Sequence, residues 1–315
     1  MRQTTRTSPK WREQLANEVR GVVRLDELLG PRTSLGIGGT VDAWFEPVDT
    51  EDLSIGLRVA RRRRVPWCII GGGSNVLIAD SGIRGMAVHL NPSFKQIEVT
   101  TCGDLVRVSY GAGIGCSMAR RHAMDSELVG LEFLAGIPGT LGGAVRMNAG
   151  TRLGDMSDVV ESVEIVSAEG ARSISAGDLC FAYRSASLPL EAVITRVAVL
   201  LRQADPVSLA SARERMQKEI EWRRVKQPKG RSAGSIFKNP PGDFAGRLIE
   251  ECGLKGHRVG GAFVSDRHAN FFMNDGTASA ADMSELIDSC RREVEARLGV
   301  RLDLEIELMG EHHAD

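Results

Sequence analysis

The chain has 315 residues, a length that corresponds to about two domains. The 40 Lys and Arg residues balance 41 Asp and Glu residues, and a formal net charge of −1 does not favour a general nucleic-acid binder, which needs a basic surface. Apolar residues make up 42% of the sequence and charged residues 26%, which is typical of a globular protein rather than a disordered chain or a coiled coil.

The N-terminal region is basic and rich in hydroxyl groups. Residues 1–12 lack the apolar core of a secretory signal, so we interpret them as a frayed terminus, with a transit peptide as the alternative. Residues 1–32 are interpreted as a polar arm. No apolar run reaches the roughly 18 residues of a membrane helix. The cysteines are scattered without a Cys-x-x-Cys pair, which predicts free thiols in the cytoplasm and no metal site.

Short strand-like runs alternate with helices in the next part of the chain. A helix is predicted over 51–64, with Asp49 or Thr50 as its cap. A second helix is predicted from Gly115 to about Ser126, and a long charged helix from Pro206 to about Val225. The strands are predicted at Val41–Phe45, Val65–Ile70, Met86–Leu90, Ile97–Thr100, Leu105–Tyr110, 159–167 and 192–201. A hairpin is expected at Ala168-Glu169-Gly170, and a domain boundary near 203–206.

The last hundred or so residues read as a second α+β unit. Ser279 and Asp282 form a capping pattern, and Gly299 is well placed to end the helix that they begin. Apolar and charged residues then alternate from Val300 to Leu308. This alternation predicts a half-buried strand with one acidic face. His312 and His313 are expected to be inert residues of a polar tail, 312–315.

Two glycine-rich segments are candidate ligand sites. Gly71, Gly72, Gly73, Ser74 and Asn75 follow an apolar strand, and such a turn either forms a nest of N–H groups for a pyrophosphate or is a plain tight turn. The segment 130–150 contains six glycines among 21 residues. Its low bulk favours a wall against a large flat ligand, with a glycine-rich core loop as the alternative. Neither segment has the P-loop or dinucleotide-binding pattern.

Five segments in this order resemble the UDP-N-acetylenolpyruvoylglucosamine reductases, flavoproteins of bacterial peptidoglycan precursor synthesis. They are Gly71–Leu77, Gly130–Gly150, Phe181-Ala-Tyr-Arg184, Ser232-Ala-Gly-Ser-Ile-Phe-Lys-Asn-Pro240 and His268-Ala-Asn-Phe271. The resemblance runs from about Thr33 to Gly310. It implies an α+β fold with a two-subdomain FAD-binding domain of the vanillyl-alcohol oxidase (PCMH) type over 33–203. A C-terminal α+β substrate domain would occupy 204–311.

The resemblance also implies the reaction and its cofactors. NADPH would reduce non-covalently bound FAD, and the reduced flavin would reduce an enolpyruvyl UDP-sugar. The residues expected to bind FAD are Gly71, Gly72, Gly73, Ser74, Asn75, Gly136, Ile137, Pro138, Gly139, Gly142, Gly143, Asn148, Ala149 and Gly150.

Three catalytic residues follow from the same resemblance. Arg184 matches the family's catalytic arginine, and a guanidinium holds a developing enolate or carboxylate with two parallel hydrogen bonds. Ser235 matches the proton donor. Periodicity does not distinguish Asp303, Glu305 and Glu307, and the family's C-terminal motif selects Glu305.

Tyr183, Lys226 and Asn239 match residues that bind the substrate, the last two at its diphosphate. The chain resembles the shorter subtype, which lacks a tyrosine-bearing loop. We expect a monomer without nucleic-acid or membrane partners. Two other hypotheses remain open: another FAD-dependent oxidoreductase of the superfamily, which would not need Ser235 and Asn239, and a non-catalytic nucleotide-sugar binding protein, which would tolerate loss of Arg184.

Overall fold

A computed structural model describes residues 10–90, 92–189 and 191–312. The frayed terminus expected at residues 1–9 and the expectation for His313 lie outside these residues. The helices are α1 (Lys10–Glu18), α2 (Thr50–Arg63), α3 (Cys116–Asp125), α4 (Leu141–Arg146), α5 (Pro206–Lys226), α6 (Ala245–Glu251) and α7 (Ala280–Leu298). In this part of the chain, no helix combines the length and the apolarity needed to cross a bilayer.

The strands are mostly short and follow one another closely in sequence. They are β1 (Val22–Leu28), β2 (Thr40–Glu46), β3 (Trp67–Ile69), β4 (Val76–Ile78), β5 (Ile83–Val88), β6 (Ile97–Cys102), β7 (Leu105–Gly111), β8 (Leu128–Val129), β9 (Gly150–Thr151), β10 (Gly154–Asp155), β11 (Val160–Ser167), β12 (Gly170–Ser175), β13 (Val193–Gln203), β14 (Arg231–Ser235), β15 (Arg258–Val259), β16 (Ala262–Val264), β17 (Phe271–Asn274) and β18 (Glu307–Met309). A four-stranded sheet has the order β1-β2-β5-β3, with β3 parallel to β5.

The chain divides into two compact units. Unit 1 comprises the described residues of Met1–Leu25, Asp42–Gly71 and Gly85–Glu221, and unit 2 those of Asp26–Val41, Gly72–Arg84 and Trp222–Asp315. Each unit mixes helices with sheet and has its own apolar core, which confirms the predicted α+β class.

Unit 1 contains an antiparallel sheet with the order β12-β11-β13-β7-β6, and β8 adds to β13. The predicted hairpin is present, because Ser167 pairs with Gly170 where β11 turns into β12. Helix α2 is capped by Asp49, whose carboxylate accepts the Asp52 N–H, as predicted.

The prediction of a polar N-terminal arm is wrong for residues 10–32, where the chain forms α1, β1 and a short 3-10 helix at Gly30–Arg32. Residues 10–18 form α1, and Trp11 and Leu15 are buried in the core of unit 1. These residues and Val19 lie four apart in sequence, which places them on one helix face. Because charged residues surround these three apolar positions, the sequence gives only a weak indication of this helix.

Unit 2 contains an antiparallel sheet with the order β14-β17-β16-β15 and a parallel pair of β18 with β4. Helix α7 has the predicted capping box of Ser279 and Asp282, and it ends at Gly299 with φ +67°.

The predicted strand over 300–308 is wrong in most of its length. Leu304 makes an isolated bridge with Phe237, and regular strand is confined to Glu307–Met309, where the chain pairs with β4. The alternation persists at Leu302 and Ile306, which are buried, whereas Leu308 is exposed. His312 is also bound rather than lying in a loose tail, since its ring nitrogens contact Ser284 Oγ and two backbone carbonyls.

Candidate active site

The first glycine loop, Gly71–Asn75, has backbone donors without acceptors in the described part of the chain. Among the described residues, no backbone N–H from Gly71 to Asn75 donates a hydrogen bond. Gly73 is buried with φ +61°, and a Cβ there would lie 2.0 Å from the Arg32 carbonyl oxygen. A buried N–H without a partner is costly, so this loop has the chemistry of an anion cradle.

The second glycine segment packs in unit 1 against residues 112–116. The Leu141 and Gly142 N–H groups donate to the carbonyls of Ile114 and Ala112, at 2.8 and 3.0 Å. A Cβ at Gly142 would lie 3.0 Å from the Ala112 Cβ, so this glycine is explained by packing alone. At Gly143 the nearest atom is Thr140 Oγ1, at 3.5 Å, which leaves its outer side open. The backbone there forms a low wall next to Gly71, which lies against Thr140.

These two loops pass a test of fit to FAD. Its pyrophosphate is an anion that accepts several N–H donors, and its isoalloxazine ring is a flat body that needs a wall without bulk. Unpaired donors are found in the first loop and open glycine backbone in the second. The loop Gly71–Asn75 contains no histidine, the residue to which related flavoproteins often tether FAD covalently.

Asn148 connects the second glycine segment to the turn that carries Arg184. Its side chain is buried, accepts the Ser157 N–H at 3.0 Å, and donates to the Ala182 carbonyl at 3.2 Å. Ala182 and Ser185 bond to each other through both backbone groups and close a turn with Arg184 near its tip. One donor and one acceptor of the Asn148 amide are therefore used inside unit 1.

Arg184 is held in an uncommon conformation for a residue with a side chain. Its φ is +55°, its Nη2 lies 3.4 Å from the Gly150 carbonyl oxygen, and its guanidinium lies 5.1 Å from the Tyr183 ring centroid. The Tyr183 side chain is exposed. Left-handed backbone at a non-glycine residue costs free energy and is concentrated at functional sites.

Ser235 ends β14 at an irregularity of the β14–β17 pair. Ser232 pairs with Met273 and the next pair is Ser235 with Phe271, so one extra residue bulges from β14. Gly234 lies in this bulge with φ +81° and open space at its Cβ position. Within the described residues, the Ser235 hydroxyl makes no hydrogen bond, and it is half-buried.

Glu305 lies opposite Ile236, the residue after Ser235, in unit 2. Its N–H donates at 2.8 Å to the Ile236 carbonyl. Glu305 is half-buried, whereas Asp303 and Glu307 are exposed. The structure therefore distinguishes three carboxylates that the sequence period could not.

Asn75 joins the first glycine loop to this pair. Its Nδ2 donates to the Glu305 carbonyl at 3.0 Å, and its own carbonyl accepts the Glu307 N–H at 2.9 Å. Hydrogen bonds thus connect the loop of unpaired N–H donors to Glu305, and Glu305 to Ile236. Unit 2 brings together Asn75, Ser235 and Glu305, which are separated widely in sequence.

Lys226 and Asn239 belong to unit 2, where Lys226 ends α5 and Asn239 lies in the loop between β14 and α6. Lys226 is the last residue of α5 and is exposed, and Asn239 is exposed with its Oδ1 accepting the Ala245 N–H at 3.1 Å. A basic cavity of about 520 Å³ follows α5 and is lined by Arg224, Val225, Pro228, Lys229 and Arg267. The Arg267 Nη1 lies 3.4 Å from the carbonyls of Arg224 and Gln227, so it helps to close the end of this helix.

The segment His268–Phe271 contains Asn270, a residue that sequence reasoning missed. His268 is partly buried, and this burial lowers its pKa below the ordinary value of 6.5. Asn270 is almost fully buried, and its side chain bonds to the backbone of Phe237. The motif drew attention to the segment, but the sequence contains no sign of this contact.

Comparison with known proteins first defines the class. The family described as "FAD binding domain" matches residues 41–173, which include both glycine segments. The family described as "UDP-N-acetylenolpyruvoylglucosamine reductase, C-terminal domain" matches residues 226–309, which include Ser235 and Glu305. The chain is therefore an FAD-containing oxidoreductase.

Relatives along the whole chain define the family. An Anaeromyxobacter sp. (strain Fw109-5) UDP-N-acetylenolpyruvoylglucosamine reductase is 47% identical, over 97% of this chain and 94% of its own. The reductase 2 of Symbiobacterium thermophilum is 43% identical over 95% of this chain and 96% of its own. The crystal structure of the Thermus caldophilus enzyme (MurB) has a TM-score of 0.78 at 37% identity, covering 92% of this chain and 99% of that one. The chain belongs to the UDP-N-acetylenolpyruvoylglucosamine reductase family.

Proposed function

We propose that this chain uses NADPH and bound FAD to reduce UDP-N-acetylglucosamine enolpyruvate to UDP-N-acetylmuramate, a step of peptidoglycan precursor synthesis. The observation that carries the proposal is the hydrogen-bonded series in unit 2 of Asn75, Glu305 and Ile236, which follows Ser235. It joins a loop suited to a pyrophosphate to a hydroxyl and a carboxylate suited to proton transfer.

The glycine segments contain the residues that would hold FAD. The N–H groups of Gly72, Gly73 and Ser74 would be available to its pyrophosphate, and the open backbone around Gly143 would suit its flat ring. When bound, FAD takes two electrons from NADPH and returns them to the sugar substrate. Asn148 would support this site through its side-chain hydrogen bonds to the Ser157 N–H and the Ala182 carbonyl.

Arg184 stabilises the negative charge that develops on the enolpyruvyl group. Its guanidinium stays charged at every physiological pH and binds a carboxylate with two parallel hydrogen bonds. One fixed donor to a developing oxyanion is typically worth about 3–4 kcal/mol of barrier. The left-handed backbone at Arg184 and the hydrogen bond from Asn148 to the Ala182 carbonyl fix the position of this guanidinium before substrate binds.

Ser235 gives a proton to the carbon next to the carboxylate. A serine hydroxyl is a weak acid, so the transfer requires a strongly basic carbanion and a fixed position. Its hydroxyl makes no hydrogen bond within the described residues and is therefore available. Glu305, which is half-buried, stabilises the enol form and helps to deliver the proton.

Lys226 and Asn239 bind the diphosphate of the UDP-sugar, and Tyr183 contacts the substrate through its exposed ring. A lysine ammonium is suited to phosphate as a point charge. The Asn239 Oδ1 is occupied by the Ala245 N–H, so its Nδ2 group is the part left to donate to an anion.

We further propose a functional division into an FAD-binding domain, 33–203, and a substrate domain, 204–311. The enzyme acts as a cytoplasmic monomer of the shorter subtype. A charged nucleotide-sugar substrate and scattered free thiols support the cytoplasmic assignment.

The test is turnover with the purified holoenzyme. NADPH oxidation should depend on added enolpyruvyl UDP-sugar, and the product should be heavier than this substrate by two hydrogens. Arg184→Lys keeps the charge but loses the planar fork, so it should lower kcat more than it raises KM. Bound flavin without sugar-dependent oxidation would indicate another oxidoreductase of the superfamily, and sugar binding without flavin would indicate a binding protein.

A further inference from the structure

A buried asparagine outside the predicted site holds the segment that follows Ser235. The Asn270 side chain is 3% exposed, its Oδ1 accepts the Phe237 N–H at 3.0 Å, and its Nδ2 donates to the Phe237 carbonyl at 2.8 Å. The Asn270 backbone carbonyl also accepts the Ile236 N–H at 2.9 Å. One residue thus makes three hydrogen bonds to the two positions after Ser235.

The side chain of Asn270 makes the hydrogen bonds that a paired residue of a neighbouring strand would make. The bulge at Gly234 disturbs the β14–β17 pair, and Ser235–Phe271 is its last regular pair. Beyond it, the Asn270 amide offers Phe237 one donor and one acceptor, as a peptide group would. Among side chains, only those of Asn and Gln present this combination as an amide, the group that a peptide bond also presents. The hydrogen bonding between β14 and β17 is therefore extended past the bulge by the Asn270 side chain.

The opposite edge of the same segment holds Glu305. The Ile236 carbonyl accepts the Glu305 N–H, and the Lys238 N–H donates to the Asp303 carbonyl, both at 2.8 Å. Residues 236–238 are therefore hydrogen-bonded on one side to Asn270 and on the other to residues 303–305. A shift of this segment would move Ser235 and Glu305 relative to each other.

We propose that Asn270 is a positioning residue that sets the geometry of proton delivery by Ser235 and Glu305. This inference rests on the proposed function. Asn270 acts through the backbone of Ile236 and Phe237. Its loss should therefore slow the step that needs a proton at the sugar and leave the reduction of the flavin by NADPH unchanged.

The test is Asn270→Asp, followed by stopped-flow measurement of both half-reactions per bound flavin. At mildly alkaline pH the new carboxylate opposes the Phe237 carbonyl, and two acceptors repel. Oxidation of the reduced flavin by the enolpyruvyl UDP-sugar should slow by about 10- to 100-fold, the usual effect of a small misplacement. The rate should recover as the pH falls, because a protonated carboxyl again offers one donor and one acceptor.

Asn274→Asp is the matched control on the same strand. Asn274 is 6% exposed, its Nδ2 donates to the Leu35 carbonyl at 2.8 Å, and its Oδ1 accepts the N–H groups of Gly276 and Ala278. Its loss should lower thermal stability in the same way as the loss of Asn270. It should leave the ratio of the two half-reaction rates unchanged, because its side chain bonds to loops away from Ser235.

Two results would overturn the inference: equal slowing of both half-reactions by Asn270→Asp, or the same selective slowing by Asn274→Asp. If Asn270→Asp does not retain FAD, Asn270→Ser replaces it. The serine hydroxyl reaches at most one of the two Phe237 groups, so selective slowing without recovery at low pH is expected, and its absence would refute positioning. A wild-type enzyme that fails to oxidise NADPH with the sugar would instead refute the proposed function.

Discussion

Gly73→Ala tests whether the first glycine loop binds FAD through its backbone. Gly103→Ala is the matched control, because Gly103 has φ +62° against +61° at Gly73 but nothing lies within 4 Å of its Cβ position. Both variants place an alanine in left-handed backbone, at a cost of about 1–2 kcal/mol. Only the alanine at position 73 also meets the Arg32 carbonyl, at 2.0 Å.

The size of the effect follows from that overlap. A Cβ does not approach a carbonyl oxygen more closely than 3.0 Å, so the loop must retreat by about 1 Å. An N–H···O bond is made only between about 2.7 and 3.2 Å, so the retreat breaks at least one bond to the pyrophosphate. A hydrogen bond to a charged group is worth about 1.5–3 kcal/mol, which corresponds to a ten- to hundredfold weaker FAD Kd.

The assay is titration of the apoprotein with FAD, followed by quenching of flavin fluorescence, with thermal unfolding as a check on folding. Gly73→Ala should weaken binding by that factor and Gly103→Ala should bind FAD as the wild type does. Wild-type affinity in Gly73→Ala would refute the anion-cradle interpretation. An equal loss in both variants would assign the effect to general destabilisation.

The remaining predictions concern catalysis, stability and pH. Ser235→Ala should reduce sugar-dependent flavin oxidation by about 10²-fold or more while NADPH reduces the flavin normally, and equal slowing of both steps would contradict the proton-donor role. Leu15→Ala should lower the free energy of unfolding by about 2–5 kcal/mol and the exposed Glu13→Ala should change it little, because Leu15 is buried in the core of unit 1. Burial keeps the pKa of His268 below 6.5, so the unfolded state binds the proton first and stability should fall as pH drops below about 6.5. His268→Gln should flatten this dependence, and an unchanged slope in urea titrations would assign it to other groups.

Local chemistry explains which elements could be predicted from the sequence. The caps at Asp49, Ser279 and Gly299 depend on residues within one turn of the helix end, so the sequence contains the whole cause. The hairpin at residues 168–170 is local in the same sense.

The failures have non-local causes. The chain from Val300 to Leu308 has a clean strand period, but it first meets Phe237 and then the parallel strand β4, and these partners lie far away in sequence. Neither partner could be inferred from the alternation. Helix α1 was missed because its buried face consists of few apolar residues among charged ones.

The site shows the same division. Glycines at residues 71–73 predict a position where a side chain would not fit, and Gly73 is such a position, with φ +61° and the Arg32 carbonyl oxygen 2.0 Å from its Cβ position. The choice of Glu305 among three carboxylates needed the family resemblance, and in the structure it corresponds to a difference in burial. The sequence does not indicate a role for Asn270. Its amide substitutes for a peptide group, and this is recognised only from its hydrogen bonds to the Phe237 backbone in the structure.

The most direct test of the central claim is the visible spectrum of the purified protein under anaerobic conditions, with NADPH added first and the enolpyruvyl UDP-sugar second. The account predicts a flavin spectrum that bleaches with NADPH and recovers in full when the sugar is added. A flavin that bleaches and does not recover with this sugar, or a protein that takes up no FAD on reconstitution, would contradict it.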